Sequence, residues 1–193
     1  MRVRIGLLAV CTLLLAGSTA AADTQPSRFD GVELNPPQRA PDISLRDQNG
    51  RAIRLSSLRG KTVFVTFLYV HCPDVCPLIA THLDTAVRRL GAAGRNVRIL
   101  AVSVDPKGDT PAAARRFVRQ HDLLPRFHFL LGTRAQLAPV WKAYHIVAWN
   151  GPEGTVNHSA YVLLVDPDGN ERVIYDATVK PADVVHDLRV LDS

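Results

Sequence analysis

The stretch KTVFVTFLYVHCPDVCPLIATHL, residues 61–83, decides the fold. Its first part, Lys61 to Val70, is a run of β-branched and aromatic side chains with almost no polar interruption. Such a run predicts a strand buried on both faces. Beyond it the pattern changes. Ile79, Leu83, Ala86, Val87 and Leu90 recur at helical spacing, and Gly91 ends the series. Strand and helix meet at Cys72-Pro73-Asp74-Val75-Cys76. Cys72 lies just outside the helix and Cys76 at its first turn, so both sulfurs can meet above the helix N-terminus. There the positive end of the backbone dipole favours thiolate over thiol. Pro73 and Pro77 suit this position, because they lack N–H groups that would be orphaned in the first turn. Asp74 complements the same dipole, although its charge opposes the thiolates.

Working outward, DISLRDQNGRAIRL (42–55) has apolar residues on either side of Asn49-Gly50, a strong hairpin signal. NVRILAVSV (96–104) is a second buried strand. DTPAAARRFVRQH (109–121) is a helix capped by Asp109 or Thr110, with Pro111 in its first turn. RFHFLL (126–131) is a strand, and TRAQLAPVWKAYHI (133–146) a helix that Pro139 bends or shortens. AYVLLVDPDGNERVIYD (160–176) folds back around Pro167-Asp168-Gly169-Asn170, and KPADVVHDLRVL (180–191) closes as a helix. Buried strands alternating with helices predict an α/β protein, with a mixed central sheet flanked by helices and an N-terminal β-hairpin. That is the thioredoxin-like arrangement, and the cysteines fall between its first core strand and first core helix.

The two ends read differently from this core. Arg2 and Arg4 precede an uncharged, mostly apolar run from Ile5 to Ala22 that closes on Ala20-Ala21-Ala22. Residues 1–22 therefore read as a secretory signal peptide, with an uncleaved membrane anchor as the rival. Cys11 sits in that run behind Val10, where a lipobox wants a small residue. Residues 23–40 are polar and proline-rich and read as a tether, leaving 41–193 as the domain. An exported protein is expected, periplasmic or facing the outside of the cytoplasmic membrane. Hydrophobic residues make up 47% and charged residues 21% of the 193-residue chain, as in a soluble domain with a real core. Losing Arg2 and Arg4 lowers the net charge from +5 to +3. The remaining arginines are scattered over predicted helices without interleaved aromatics, which argues against nucleic acid as a partner.

Cys72 and Cys76 are then the only cysteines outside the leader. They could be small apolar core residues, oxidise to a disulfide, or chelate a soft ion such as Cu(I). A third ligand separates the last two options, and a structural zinc site would ask for four.

Three segments carry a resemblance to a known family. TFLYVHCPDVCP (66–77), VSVDPKGDTP (102–111) and VNHSAYVLLVDPDGN (156–170) resemble, in the right order, the motifs of the Sco/SenC family of copper-binding, thioredoxin-like cytochrome c oxidase assembly proteins. The similarity runs from about Pro41 to Leu191. It implies a copper site of Cys72, Cys76 and His158, holding Cu(I) and/or Cu(II). It also implies work on the binuclear copper centre of cytochrome c oxidase. The expected partners are the copper-accepting oxidase subunit and other copper chaperones or thiol reductants, with membrane attachment through the N-terminus. His158 lies 82 residues beyond Cys76, but it precedes a hairpin strand that a thioredoxin-like sheet places beside the cysteine turn. His71 should point away from Cys72 in an extended segment. Asn157 departs from the family, which commonly has an acidic residue before the histidine. Asp105 reads as a strand-end turn residue, and Tyr69 and Trp149 as packing residues placed to exclude water.

Several functions fit these residues. One is a copper chaperone that binds and passes on the ion. A second is a thiol–disulfide reductase, with Cys72 and Cys76 as the redox-active pair and Cys72 as nucleophile. A third is a copper or redox sensor that uses the same site. A peroxiredoxin-type peroxidase is disfavoured, because Tyr69 and Val65 stand where its threonine and proline would be.

Overall fold

The computed structural model describes residues 27–150 and 156–191. Its first strands are β1 (Val32–Arg39), β2 (Ser44–Asp47), β3 (Ala52–Arg54) and β4 (Thr62–Leu68). Helix α1 (Val75–Arg89) leads to β5 (Val97–Ser103), and α2 (Pro111–Gln120) to β6 (Phe127–Leu131). Helix α3 (Arg134–Ala143) follows, then β7 (Ala148–Asn150), β8 (Val156–His158), β9 (Tyr161–Val165), β10 (Asn170–Asp176) and α4 (Pro181–Leu191).

One mixed sheet has the order β1-β10-β9-β4-β5-β6-β2-β3, and β7 and β8 form a separate ribbon. β4, β5 and β6 run parallel, joined through α1 and α2, while β9 joins β4 antiparallel. Every residue of β4 is buried. Since successive side chains point to opposite faces, unbroken burial means that both faces of the sheet are covered there. Helices α1 and α4 pack side by side, and α2 packs against β6. This is the thioredoxin-like mixed sheet with flanking helices expected from the sequence.

The hairpin at Asn49-Gly50 is β2–β3, with Leu45 opposite Ile53. Asp47 Oδ1 accepts the N–H groups of Asn49 (2.9 Å) and Arg51 (3.0 Å), and Gly50 takes φ +79°, the left-handed region that the turn requires. Thr110, not Asp109, caps α2 through Ala113 N–H (3.2 Å). Pro139 lies inside α3, which ends at Ala143, three residues before the expected end at Ile146. Thr133 and Gln136 form a reciprocal capping box at its start, and the helix runs through to Ala143.

The domain boundary needs correction. The segment read as a tether (23–40) contains β1, which pairs with β10 from Val32–Ile174 to Arg39–Asn170. Phe29 is buried in the core, and Asp187 Oδ1 and Oδ2 accept the N–H groups of Asp30 (2.7 Å) and Gly31 (3.0 Å). The prolines misled the reading. Pro36 and Pro37 lie on an edge strand, where a missing donor breaks no ladder on the open side, and the register shifts between Glu33 and Gln38 around them. The expected leader, residues 1–22, lies outside the described residues.

Candidate metal and dithiol centre

The site grows from the end of β4. Val104 N–H bonds Leu68 O (3.0 Å), which holds the exits of β4 and β5 together. Asp109 then reaches back across this rim. Its Oδ1 accepts Val70 N–H (2.8 Å), and its Oδ2 accepts the Ser103 hydroxyl (2.5 Å). Ser103 O in turn accepts the indole N–H of Trp141 (2.9 Å). This buried chain fixes the turn that carries Cys72. Cys72 N–H bonds Tyr69 O at 3.3 Å, so the backbone coils directly before α1 begins.

Asp74 stands at the cap position of α1 but makes no side-chain cap bond. The Cys72 sulfur does that work, accepting Cys76 N–H at 3.3 Å. Pro77, next in the first turn, has no N–H to satisfy. Both cysteines are free thiols, with Cys76 fully buried and Cys72 half-buried. Their chemistry is therefore unequal. The Cys76 thiol donates to Cys72 and, against the cost of partial burial, brings the Cys72 pKa down to about 5. The backbone N–H groups of Asp74 and Cys76 and the Tyr69 hydroxyl help. Cys76 moves the other way, pushed far up because its proton is held by Cys72 and because it is buried. At neutral pH the pair is one half-buried thiolate over one buried thiol.

His158 arrives on the β7–β8 ribbon, where it pairs with Ala148. Its Nδ1–H donates to Ser159 O (2.9 Å), which leaves Nε2 as the free donor atom. Its ring meets Tyr69 edge-on, with centroids 6.0 Å apart at 83°. The Tyr69 hydroxyl bonds the Cys72 sulfur and the backbone at Val156, and burial raises its pKa. Cys72, Cys76 and His158 thus share one corner of the sheet rim. Their donor atoms do not all come within 4.8 Å of one another.

Sequence reading missed three contributors. The β7–β8 ribbon was passed over, although Asn150-Gly151 between Ala148-Trp149 and Val156 is a hairpin signal of the same kind as Asn49-Gly50. Tyr69 does more than pack. Asp109, read as a possible helix cap, is a buried carboxylate with a pKa raised to about 7, chiefly by burial. Asp105 behaves as the turn residue expected, accepting Lys107 N–H (3.2 Å). His71 is exposed. Among the other histidines, His82 bonds Val179 O (2.8 Å) and His128 bonds buried Asp47 (3.1 Å), roles the sequence did not reveal. Among the described residues, the one group of three such donors within 4.8 Å is Asp30, His186 and Asp187. There the Asp187 carboxylate is already engaged by the Asp30 and Gly31 N–H groups and the Tyr175 hydroxyl. No helix among the described residues is long and apolar enough to cross a membrane.

A mixed sheet with an asymmetric Cys-x-x-x-Cys pair at the strand-to-helix junction defines a thioredoxin-like dithiol protein, here with a histidine ribbon beside the sulfurs. The chain belongs to the SCO1/SenC family, whose model matches residues 33–191. It is 37% identical over 135 residues to the mitochondrial SCO2 homolog of Bos taurus, covering 66% of this chain and 50% of that protein. The chain spans about half the length of the mammalian SCO2 homologs it matches, up to 60% for the mouse protein. Among solved structures, ScoI of Bradyrhizobium japonicum with copper bound superposes with a TM-score of 0.70 at 30% identity, covering 79% of this chain and 99% of that one. The apo Sco1 of Thermus thermophilus gives a TM-score of 0.73 at 30% identity, covering 84% and 96%.

Proposed function

We propose that this protein is a copper chaperone that carries copper on Cys72, Cys76 and His158 and delivers it to the binuclear copper centre of cytochrome c oxidase. The observation that carries the reading is the convergence of a free, asymmetric dithiol and a histidine with an open Nε2 on one rim. Two sulfurs and one imidazole suit copper in either valence, with the thiolates preferring Cu(I). The copper-bound relative from Bradyrhizobium japonicum supports the same cargo. Cys72 is already a thiolate at neutral pH, so the first bond to copper needs no proton released; the second releases the Cys76 proton. A three-ligand site also leaves a position open for an incoming ligand of the acceptor. The acceptor is the copper-binding oxidase subunit, reached from an exported, membrane-proximal location.

The asymmetry of the pair favours a second, compatible activity as a thiol–disulfide reductase. The Cys72 thiolate attacks one sulfur of a partner disulfide, and the partner's other sulfur leaves as a thiolate. Cys76 then loses its proton and attacks the Cys72 sulfur, releasing the partner's first sulfur. Two electrons pass to the partner, two thiols form there, and a Cys72–Cys76 disulfide remains.

Anaerobic Cu(I) titration of the reduced protein against a competing chelator tests the main reading. One equivalent bound in the wild type and lost in Cys72→Ser and Cys76→Ser supports it. No binding in the wild type ends it, and reduction of a model disulfide by the same sample would then leave the reductase alone.

A further inference from the structure

The β7–β8 ribbon has a second surface that the copper reading does not use. Beneath it lies a groove of about 610 Å³, walled by Val104, Trp141, Trp149 and Val156. That size lies within the roughly 300–1,000 Å³ of ordinary ligand sites and accommodates a few side chains. Trp149 is 56% exposed, among the largest apolar side chains the described surface leaves to water. An exposed tryptophan beside a recess is suited to anchor a partner, and Trp and Arg are among the residue types that most often dominate protein interfaces. Lys107 and Arg134 stand on the rim. Neither pairs with a carboxylate among the described residues, while Arg134 is held over the Trp141 ring at 5.8 Å. The Asp105 carboxylate also lines the groove, but its Oδ1 is taken by its own loop through Lys107 N–H. Among the described residues, the recess therefore has an apolar wall at Val104, Trp141, Trp149 and Val156 and one net positive charge on its rim.

We propose that this groove docks an acidic segment of a partner protein that inserts one apolar side chain against Trp149 and places its carboxylates on Lys107 and Arg134. Ala148, next to Trp149, pairs directly with His158. A segment seated here lies along the strand pair that carries the histidine and sets the partner beside the sulfurs. Two other occupants fit less well. A second copy of the chain carries the same positive net charge, +5 with the leader and +3 without Arg2 and Arg4, so two copies repel. An anionic membrane surface is better met by a convex basic patch than by a recess with Asp105 in its wall.

The test uses the reduced, metal-free full chain and two blocked peptides, Glu-Asp-Phe-Asp-Glu and Lys-Arg-Phe-Arg-Lys. Amide and indole NMR signals are followed during titration. The acidic peptide is expected to shift Lys107, Arg134 and Trp149 signals and to bind about tenfold more tightly than the basic one. Lys107→Glu with Arg134→Glu should reverse the preference, and Trp149→Ala should weaken the acidic peptide by about tenfold. Equal binding of both peptides, or shifts confined to another surface, overturns the proposal. So do shifts that appear on raising the protein concentration alone, and binding to phosphatidylglycerol vesicles without binding of the acidic peptide. No copper is present, so these failures are distinct from failure of the Cu(I) titration.

Discussion

The imidazole of His158 meets the Tyr69 ring edge-on, and the Tyr69 hydroxyl bonds the Cys72 sulfur. One side chain therefore touches both halves of the proposed metal set. Its hydroxyl donates to the thiolate while its ring meets the imidazole. Tyr69→Phe keeps the ring and removes the donor. The Cys72 pKa should rise from about 5, and thiolate ultraviolet absorbance against pH reads the shift. An unchanged titration would mean that the hydroxyl does not act on Cys72.

The two cysteines should differ in reactivity as strongly as their surroundings differ. Alkylation of the reduced protein should modify Cys72 first, at a rate that rises through about pH 5 and is nearly level at neutral pH. Cys76→Ala removes the main cause of the depression, so the rise should move toward the ordinary thiol range. Cys72→Ala should lower the pKa of Cys76, whose elevation comes first from its bond to Cys72. The sign for stability follows. A depressed Cys72 stabilises the reduced fold above the unfolded thiol value, about 8.5, and this contribution fades as pH falls through about 5. Cys76, raised, works the other way above about 8.5, so urea titrations should show the reduced protein gaining stability relative to the oxidised one between about pH 5 and 8.5 and losing it again above. Mass mapping that finds Cys76 labelled first would reverse the assignment.

Valence should separate the ligands. In His158→Ala the two thiolates remain, so Cu(I) binding should survive with reduced affinity. Cu(II), which gains more from imidazole, should fall by at least about tenfold. Competition against chelators of each valence gives both numbers. Equal loss for the two ions would show that His158 holds the site together instead of selecting the ion.

Much of this architecture was legible because local pattern and tertiary role agreed. The apolar run of β4, the helical spacing of Ile79, Leu83 and Val87, and Asn49-Gly50 each had one sensible partner, and the sheet followed from their order. Cys72 and Cys76 stood out because their spacing meets a strand-to-helix junction. What stayed hidden depends on contacts across the chain. Asp109 looks like a helix cap until Val70 and Ser103 fold onto it from 39 and 6 residues away. Pro36 and Pro37 argue against a strand unless that strand lies at an edge, and the edge is set by β10. His158 could be placed near the sulfurs from the order of elements, but its ring contact with Tyr69 could not.

Asp109 should matter through its bonds before its charge. Asp109→Ala leaves the Val70 N–H and the Ser103 hydroxyl without their partner in a buried place, at about 1–3 kcal/mol. Asp109→Asn keeps an acceptor and should recover most of that loss at neutral pH. The two substitutions also differ from the wild type in pH dependence. A carboxyl raised to about 7 stabilises the fold below its unfolded value near 4, and that stability is lost as pH rises through 7. Asn cannot ionise, so the fall between about pH 4 and 7 should flatten in Asp109→Asn. A parallel pH profile in wild type and variant would contradict the burial argument.

Before β1 begins, one carboxylate clasps the N-terminal segment to α4 and β10, beside buried Phe29. Asp187 is fully buried and accepts from Asp30 N–H, Gly31 N–H and the Tyr175 hydroxyl (2.8 Å). Gly31 lies so close to Val173 and Tyr175 that a Cβ there would collide with both side chains. β1 continues from this clasp, so the clasp decides whether the chain's entry is docked or loose. Asp187→Ala removes the acceptor of the Asp30 and Gly31 N–H groups, the Tyr175 hydroxyl and the His186 ring, and should cost about 2–4 kcal/mol in urea unfolding. Gly31→Ala should destabilise by overpacking, about 1–3 kcal/mol, with every donor still satisfied. Both should expose the chain before β1 to limited proteolysis while Cys72 keeps its low pKa, because the cysteine turn lies on other strands. If either substitution leaves stability within about 0.5 kcal/mol of the wild type, the clasp is not what fastens this segment.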